Sequence, residues 1–192
     1  VTIIVSGRYK DFTYMGCDTA VTAGYTRLPN LRNFSKIIAF PHFLVGFCGS
    51  YTMHTLLRKL VDDRIFMASD FMGMYGHSDA LAFSEIVFMS LRELADKRLA
   101  RESSSEMELE STSILIAAKS GIYSVDDYLN VSEFDNFYMI GGGFDLALGA
   151  MEALYPKVKS RETLKNSIIE AIGIACRHNV GCGLPIHIAE VE

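Results

Sequence analysis

At 192 residues, 49% of them hydrophobic, the chain is long enough to bury one well-formed core and short for two, so one domain spanning 1–192 is expected. A charged fraction of 21% and a net charge of −5 place it in the soluble class and exclude the broad basic face that phosphate backbones require. Mean hydropathy is high at +0.20, yet no apolar run reaches the ~18 residues of a membrane span, because Arg58, Lys59, Asp62, Asp63 and Arg64 interrupt the longest candidates. The surplus apolar surface points to subunit interfaces instead.

Residues 1–5 are apolar but lack a basic lead, so a signal peptide is not expected. Residues 2–6 are rich in β-branched side chains, Lys10 and Asp11 make a polar turn, and residues 14–19 resume a strand-like pattern, which predicts a hairpin at the start of the chain. Residues 20–35 carry Gly24, Pro29, Asn30 and Asn33 and read as loop. Two strands, 36–40 and 43–48, follow around the Pro41-His42 turn. Leu56, Leu57, Leu60 and Val61 recur at helical spacing after Gly49, with Ser50 or Thr52 available as the cap. Residues 65–78 show no period, and Met67, Met72 and Met74 among them read as adaptable packing. Ser78-Asp79 opens a longer helix to about Leu99.

The serine- and glutamate-rich stretch 102–110 is an exposed connection to a third hairpin, 113–118 with 122–125. A short strand, 137–140, ends in Gly141-Gly142-Gly143, a glycine run without the flanking fingerprint of a phosphate site. Helices are predicted over 146–154, closed by Pro156, and over 161–177, and 184–191 alternates as a final strand. Blocks of strands and helices, not strict βαβ alternation, predict stacked layers with largely antiparallel sheets. Cys17, Cys48, Cys176 and Cys182 form no CxxC pair and have no His at ligand spacing, so they read as reduced thiols in a cytoplasmic protein. His178 and His187 likewise lack partners for a metal or triad.

Six segments, in this order and spacing, resemble the proteasome β-subunits and their bacterial relative HslV: TIIVS at 2–6, GCDTAVTAG at 16–24, SKI at 35–37, GFCGS at 46–50, IGGG at 140–143 and NVGCG at 179–183. The resemblance covers nearly the whole chain. It implies an α+β fold, a four-layer αββα sandwich of two mainly antiparallel sheets between helix layers, of the N-terminal-nucleophile hydrolase type. In that family a threonine at the mature N-terminus attacks the peptide carbonyl and an aspartate follows sixteen residues later. Here 18 − 2 = 16, so Thr2 pairs with Asp18. Lys36, after a somewhat longer loop, matches the catalytic lysine, and Gly49 the residue whose N–H meets the oxyanion. Taken singly, Thr2 is an ordinary strand threonine, Asp18 a strand-end aspartate, Lys36 a solvated charge and Gly49 a turn glycine. The resemblance assigns the four roles together.

The chemistry requires such a set. A hydroxyl is a weak nucleophile at neutral pH and needs a base, which in this class is the free α-amine of the same threonine, with an ordinary pKa of ~8. A lysine charge beside them lowers their proton affinities, and an aspartate orients that lysine. No metal or organic cofactor is called for. The resemblance further implies rings of about six or seven copies, sometimes stacked, an ATP-driven unfoldase partner, and peptides or unfolded proteins as substrates, with neither nucleic acid nor membrane as a partner.

Four positions depart from the pattern. Val1 precedes Thr2, so the amine exists only if Val1 is removed. Aligning Val1 itself with the nucleophile would give a dead subunit, but breaks the sixteen-residue spacing. Gly142 stands where the family has a serine, and Asn179 and Cys182 where it often has an aspartate and a serine. Asn keeps hydrogen bonding without charge, and Cys is a weaker partner than Ser. Three readings stay open: a threonine peptidase, a catalytically inactive subunit retained for ring assembly, and a hydrolase of small amides on the same fold.

Overall fold

The computed structural model describes residues 2–23, 26–28, 35–49, 51–62, 74, 76–102 and 112–191. Ile4–Tyr9 (β1) and Phe12–Asp18 (β2) form the expected hairpin, in register from Ile4 opposite Cys17 to Tyr9 opposite Phe12. Lys10, at φ 54°, turns the chain between them. Inside the stretch read as loop, Thr22–Ala23 (β3) and Thr26–Arg27 (β4) pair with each other. Two residues per strand are too few to show a period. Ile37–Phe40 (β5) and Phe43–Cys48 (β6) make the second hairpin, followed by helices Tyr51–Asp62 (α1) and His77–Glu102 (α2). Thr52 lies within α1, not at its cap, and Ser50, Met67 and Met72 fall outside the described residues.

Ser113–Ala118 (β7) and Ile122–Val125 (β8) pair as expected, and a further strand, Val131–Phe134 (β9), joins β8. Its Val-Ser-Glu-Phe sequence puts two polar residues side by side, and only the position at the sheet edge makes it a strand. Phe137–Ile140 (β10) leads through the glycine turn into Phe144–Leu154 (α3), then a single 3₁₀ turn at Tyr155–Lys157. Arg161–His178 (α4) begins with a capping box, Ser160 and Thr163 each bonding the other's backbone. Ile186–Glu190 (β11) completes the order.

The sheets run β10-β1-β2-β11 and β5-β6-β7-β8-β9, antiparallel throughout. Successive side chains on a strand point to opposite faces, and here both faces are covered. Ile3, Val5 and Met139 pack under α3 and α4 against Met151, Leu164, Ile168, Ile172 and Ala175. Phe43, Val45, Ile114 and Ile116 pack under α1 and α2 against Leu57, Leu60, Phe83, Val87 and Leu91. Between the sheets lie Ile4, Met15, Leu44, Leu115, Ala117 and Ile122. Three stacked cores therefore give helix, sheet, sheet, helix, the αββα sandwich that the resemblance implied. Double-sided burial explains why β7 reads Ser-Ile-Leu-Ile-Ala-Ala instead of alternating. The Thr13 hydroxyl, donating to the carbonyl of Ala118 at 3.2 Å, ties one sheet to the other. Among the described residues no helix is long and apolar enough to cross a membrane.

Candidate active site

Asp18 is the last residue of β2, its amide donating to the carbonyl of Ile3 just ahead of β1 at 3.1 Å and Ile186 of β11 opposite it, and its side chain has no exposure. A carboxylate there must be fully satisfied, and it is. One oxygen accepts the Ile3 amide at 2.9 Å and Lys36 Nζ at 2.6 Å. The other accepts the amides of Ala20 at 3.1 Å and Gly183 at 3.0 Å. Lys36, itself 3% exposed, is held in place because its carbonyl accepts the Phe47 amide of β6 at 3.1 Å. The structure thus brings Asp18 and Lys36 into direct contact, one residue from Thr2.

Thr2 is buried, and the peptide unit that joins it to Ile3 is gripped at both ends. Its N–H, that of Ile3, goes to Asp18, and its carbonyl, that of Thr2, accepts the Gly143 amide at 3.3 Å. Gly141 makes this approach feasible. Its φ of +106° disfavours any L side chain, and a β-carbon there would collide with the Thr2 carbonyl, a backbone atom that no rotamer change can move. Gly141→Ala is expected to cost at least about 2 kcal/mol and lower Tm by about 4–8 °C. Gly149→Ala is the control: it lies in α3 with nothing within 4 Å of a new β-carbon, so it should leave Tm unchanged or raised. Equal melting of the two variants would show that the glycine turn does not constrain Thr2.

Gly49 follows β6 at the same end of the sandwich and is exposed; a side chain there would press on Thr112 Oγ1 at 3.0 Å and the Phe47 ring at 3.2 Å. Cys48, just before it, feels the charges of both Lys36 and Asp18, and burial pushes its thiol above the usual range. The four predicted residues therefore share one end of the fold, with Asp18 and Lys36 touching. Sequence reasoning missed the backbone partners. Ala20 and Gly183 supply two of the amides on Asp18, and Gly141 and Gly143 shape the contact with Thr2. The Gly-Gly-Gly run was the available signal for the second pair, and its function here is close backbone approach.

Three of the departures, Gly142, Asn179 and Cys182, lie against this centre, and Val1 falls outside the described residues. Cys182 is buried, its thiol pushed up to about 12 by desolvation and then by the Asp18 carboxylate, so it stays neutral. Its sulfur borders Gly143. Asn179 donates to the Gly142 carbonyl. His178 and His187 are exposed, and among the described residues no group of three His, Cys, Asp or Glu side chains converges as a metal site.

The αββα sandwich is a fold shared with solved structures of other proteins. No family model matches the sequence, and no curated protein matches it. Solved structures do. The chain is similar to Thiobacillus denitrificans BPH in complex with epoxomicin, at 22% identity and a TM-score of 0.76, over 99% of this chain and 98% of that one. It is also similar to the eukaryotic HslV of Trypanosoma brucei, at 19% identity and a TM-score of 0.65, over 99% of each chain. A third likeness is to Anbu, an ancestral β-subunit from Yersinia bercovieri, at 12% identity and a TM-score of 0.73, over 98% of this chain and 80% of that one.

Proposed function

We propose that the chain is a threonine-type peptidase subunit that cleaves peptide bonds inside an oligomeric ring, with Thr2 as nucleophile once Val1 and anything ahead of it have been removed. The observation that carries this reading is the buried Asp18–Lys36 pair bonded through Asp18 to the peptide unit of Thr2. Two charges this deep are costly to desolvate, and a fold needing only a filled strand end would do as well with apolar side chains.

In this reading the freed amine of Thr2 takes the hydroxyl proton as Oγ1 bonds to the substrate carbonyl carbon. Lys36 lowers the proton affinity of both groups, and Asp18 fixes Lys36. The Gly49 N–H receives the developing oxyanion. Collapse breaks the C–N bond, the ammonium of Thr2 protonates the departing amine, and water, deprotonated by the same amine, then hydrolyses the ester. While Val1 remains, the nitrogen of Thr2 is an amide and no base exists. The resemblance extends the reading to a cytoplasmic homo-oligomeric ring of about six or seven copies fed by an ATP-driven unfoldase, with peptides or unfolded chains as substrates.

A second reading, an inactive subunit kept for ring assembly, is favoured by Gly142, which places no hydroxyl beside Thr2, and by Val1 ahead of it. Epoxomicin, present in the Thiobacillus denitrificans BPH structure, separates the two. The assembled protein is expected to begin at Thr2 and to gain the mass of one inhibitor per chain, mapped to Thr2. A protein that still begins at Val1 and takes up no inhibitor would establish the second reading.

A further inference from the structure

Two of the departures, Gly142 and Asn179, meet in space. Asn179 caps α4, its amide donating to the Ala175 carbonyl at 2.8 Å, and both ends of its side chain are engaged. Nδ2 donates to the carbonyl oxygen of Gly142 at 2.6 Å, and Oδ1 accepts the Gly181 amide at 2.9 Å. The partner at Gly142 is an acceptor with no proton to give. An ionised aspartate at 179 would accept from Gly181 equally well but would set oxygen against oxygen at Gly142.

We infer that Asn179 is a positioning residue: its amide holds the 141–143 turn against Thr2, and a carboxylate cannot replace it in this chain. Asn179 also anchors the 181–183 segment, its Oδ1 accepting the Gly181 amide and its carbonyl the Cys182 amide at 3.1 Å, but an aspartate keeps both of those bonds and loses the one to Gly142. From there Gly143 donates to the Thr2 carbonyl and Gly141 packs on it. The substitution that would bring the sequence nearer to the family pattern, Asn179→Asp, is therefore harmful by itself. The effect on catalysis rests on the peptidase reading; the clamp does not.

Asn179→Asp carries its own diagnostic, because a protonated carboxyl regains the donor. Its proton is stabilised in the folded state, so the folded pKa rises above the ordinary ~3.9. The penalty is then absent below that value and grows as pH rises through the folded pKa. Other titratable groups surround the site: Arg177 and His178 at the end of α4, Asp145 in the first turn of α3, Cys176 and Cys182, and the Asp18–Lys36 pair behind Gly183. All are present in the wild type as well, so the difference between variant and wild type isolates position 179.

The experiment compares wild type, Asn179→Asp and Asn179→Ala by thermal melting from pH 4 to pH 8, and by the rate of epoxomicin capture over the part of that range where capture is measurable. At pH 8, Asn179→Asp should melt at least about 3 °C below wild type and capture inhibitor about tenfold or more slowly, with both deficits shrinking towards pH 4. The deficits of Asn179→Ala should not change with pH. An Asn179→Asp protein that melts like wild type at pH 8, or whose melting deficit is flat in pH, overturns the clamp. A pH-dependent melting deficit with unaltered capture overturns the positioning role alone. If wild type captures no epoxomicin, the peptidase reading fails, while melting still decides whether the amide clamp exists.

Discussion

Under the peptidase reading, Thr2→Ala is expected to abolish epoxomicin capture and to lower peptide turnover by at least about a thousandfold, with Tm and assembly state unchanged. The separation follows from what Thr2 contributes. Among the described residues its structural bonds are those of the backbone, the carbonyl accepting from Gly143 and the following amide donating to Asp18, and alanine keeps both. The hydroxyl is what the substitution removes, and with it the atom that forms the ester. Thr2→Ser, which keeps that atom, should retain capture and measurable turnover. Steady-state hydrolysis of a fluorogenic peptide panel, including small amides, reads the activity, and sedimentation reads the assembly. A fully active Thr2→Ala protein would end the nucleophile assignment. Turnover of small amides only would keep Thr2 and move the substrate class.

The layers were legible because their signals are collective. Leu164, Ile168, Ala171, Ile172 and Ala175 repeat at helical spacing, and strands buried on both faces announce themselves as continuous apolar runs. β9 and the β3–β4 pair escaped because an edge strand containing Ser132 and Glu133, and strands of two residues, owe their state to the neighbour they pair with. At the site, the side chains Asp18 and Lys36 were found by spacing within a family pattern, not by any property of an aspartate or a lysine. Their backbone partners could not be found that way. Gly183 donates to Asp18 across 165 positions and Gly143 reaches Thr2 across most of the chain, and a main-chain amide leaves no mark on residue type. Asn179 shows the same limit from the other side. Read as a lost charge, it is a defect; with the Gly142 carbonyl 2.6 Å away, it is the side chain that fits.

Asp18→Ala is expected to be the most destabilising single change at the site, about 3–5 kcal/mol, a fall in Tm of about 6–20 °C. It leaves an ammonium at 3% exposure without a counter-charge and strips the amides of Ile3, Ala20 and Gly183 of their acceptor. Lys36→Met should cost much less, because the remaining carboxylate still receives those three amides and the methionine chain fills the space of the lysine stem. The double variant should fall between the two, since removing Lys36 relieves the stranded charge but not the stranded amides. Denaturant unfolding midpoints test the order, and strict additivity of the single effects would show that the two groups are not coupled. The order also separates structure from catalysis. Lys36→Met is the variant in which the pair is broken while the fold survives, so under the peptidase reading it assembles normally yet loses capture and turnover about as fully as Thr2→Ala. A Lys36→Met protein that cleaves peptide at the wild-type rate would show that this pair holds the strand ends together and leaves the chemistry to other groups.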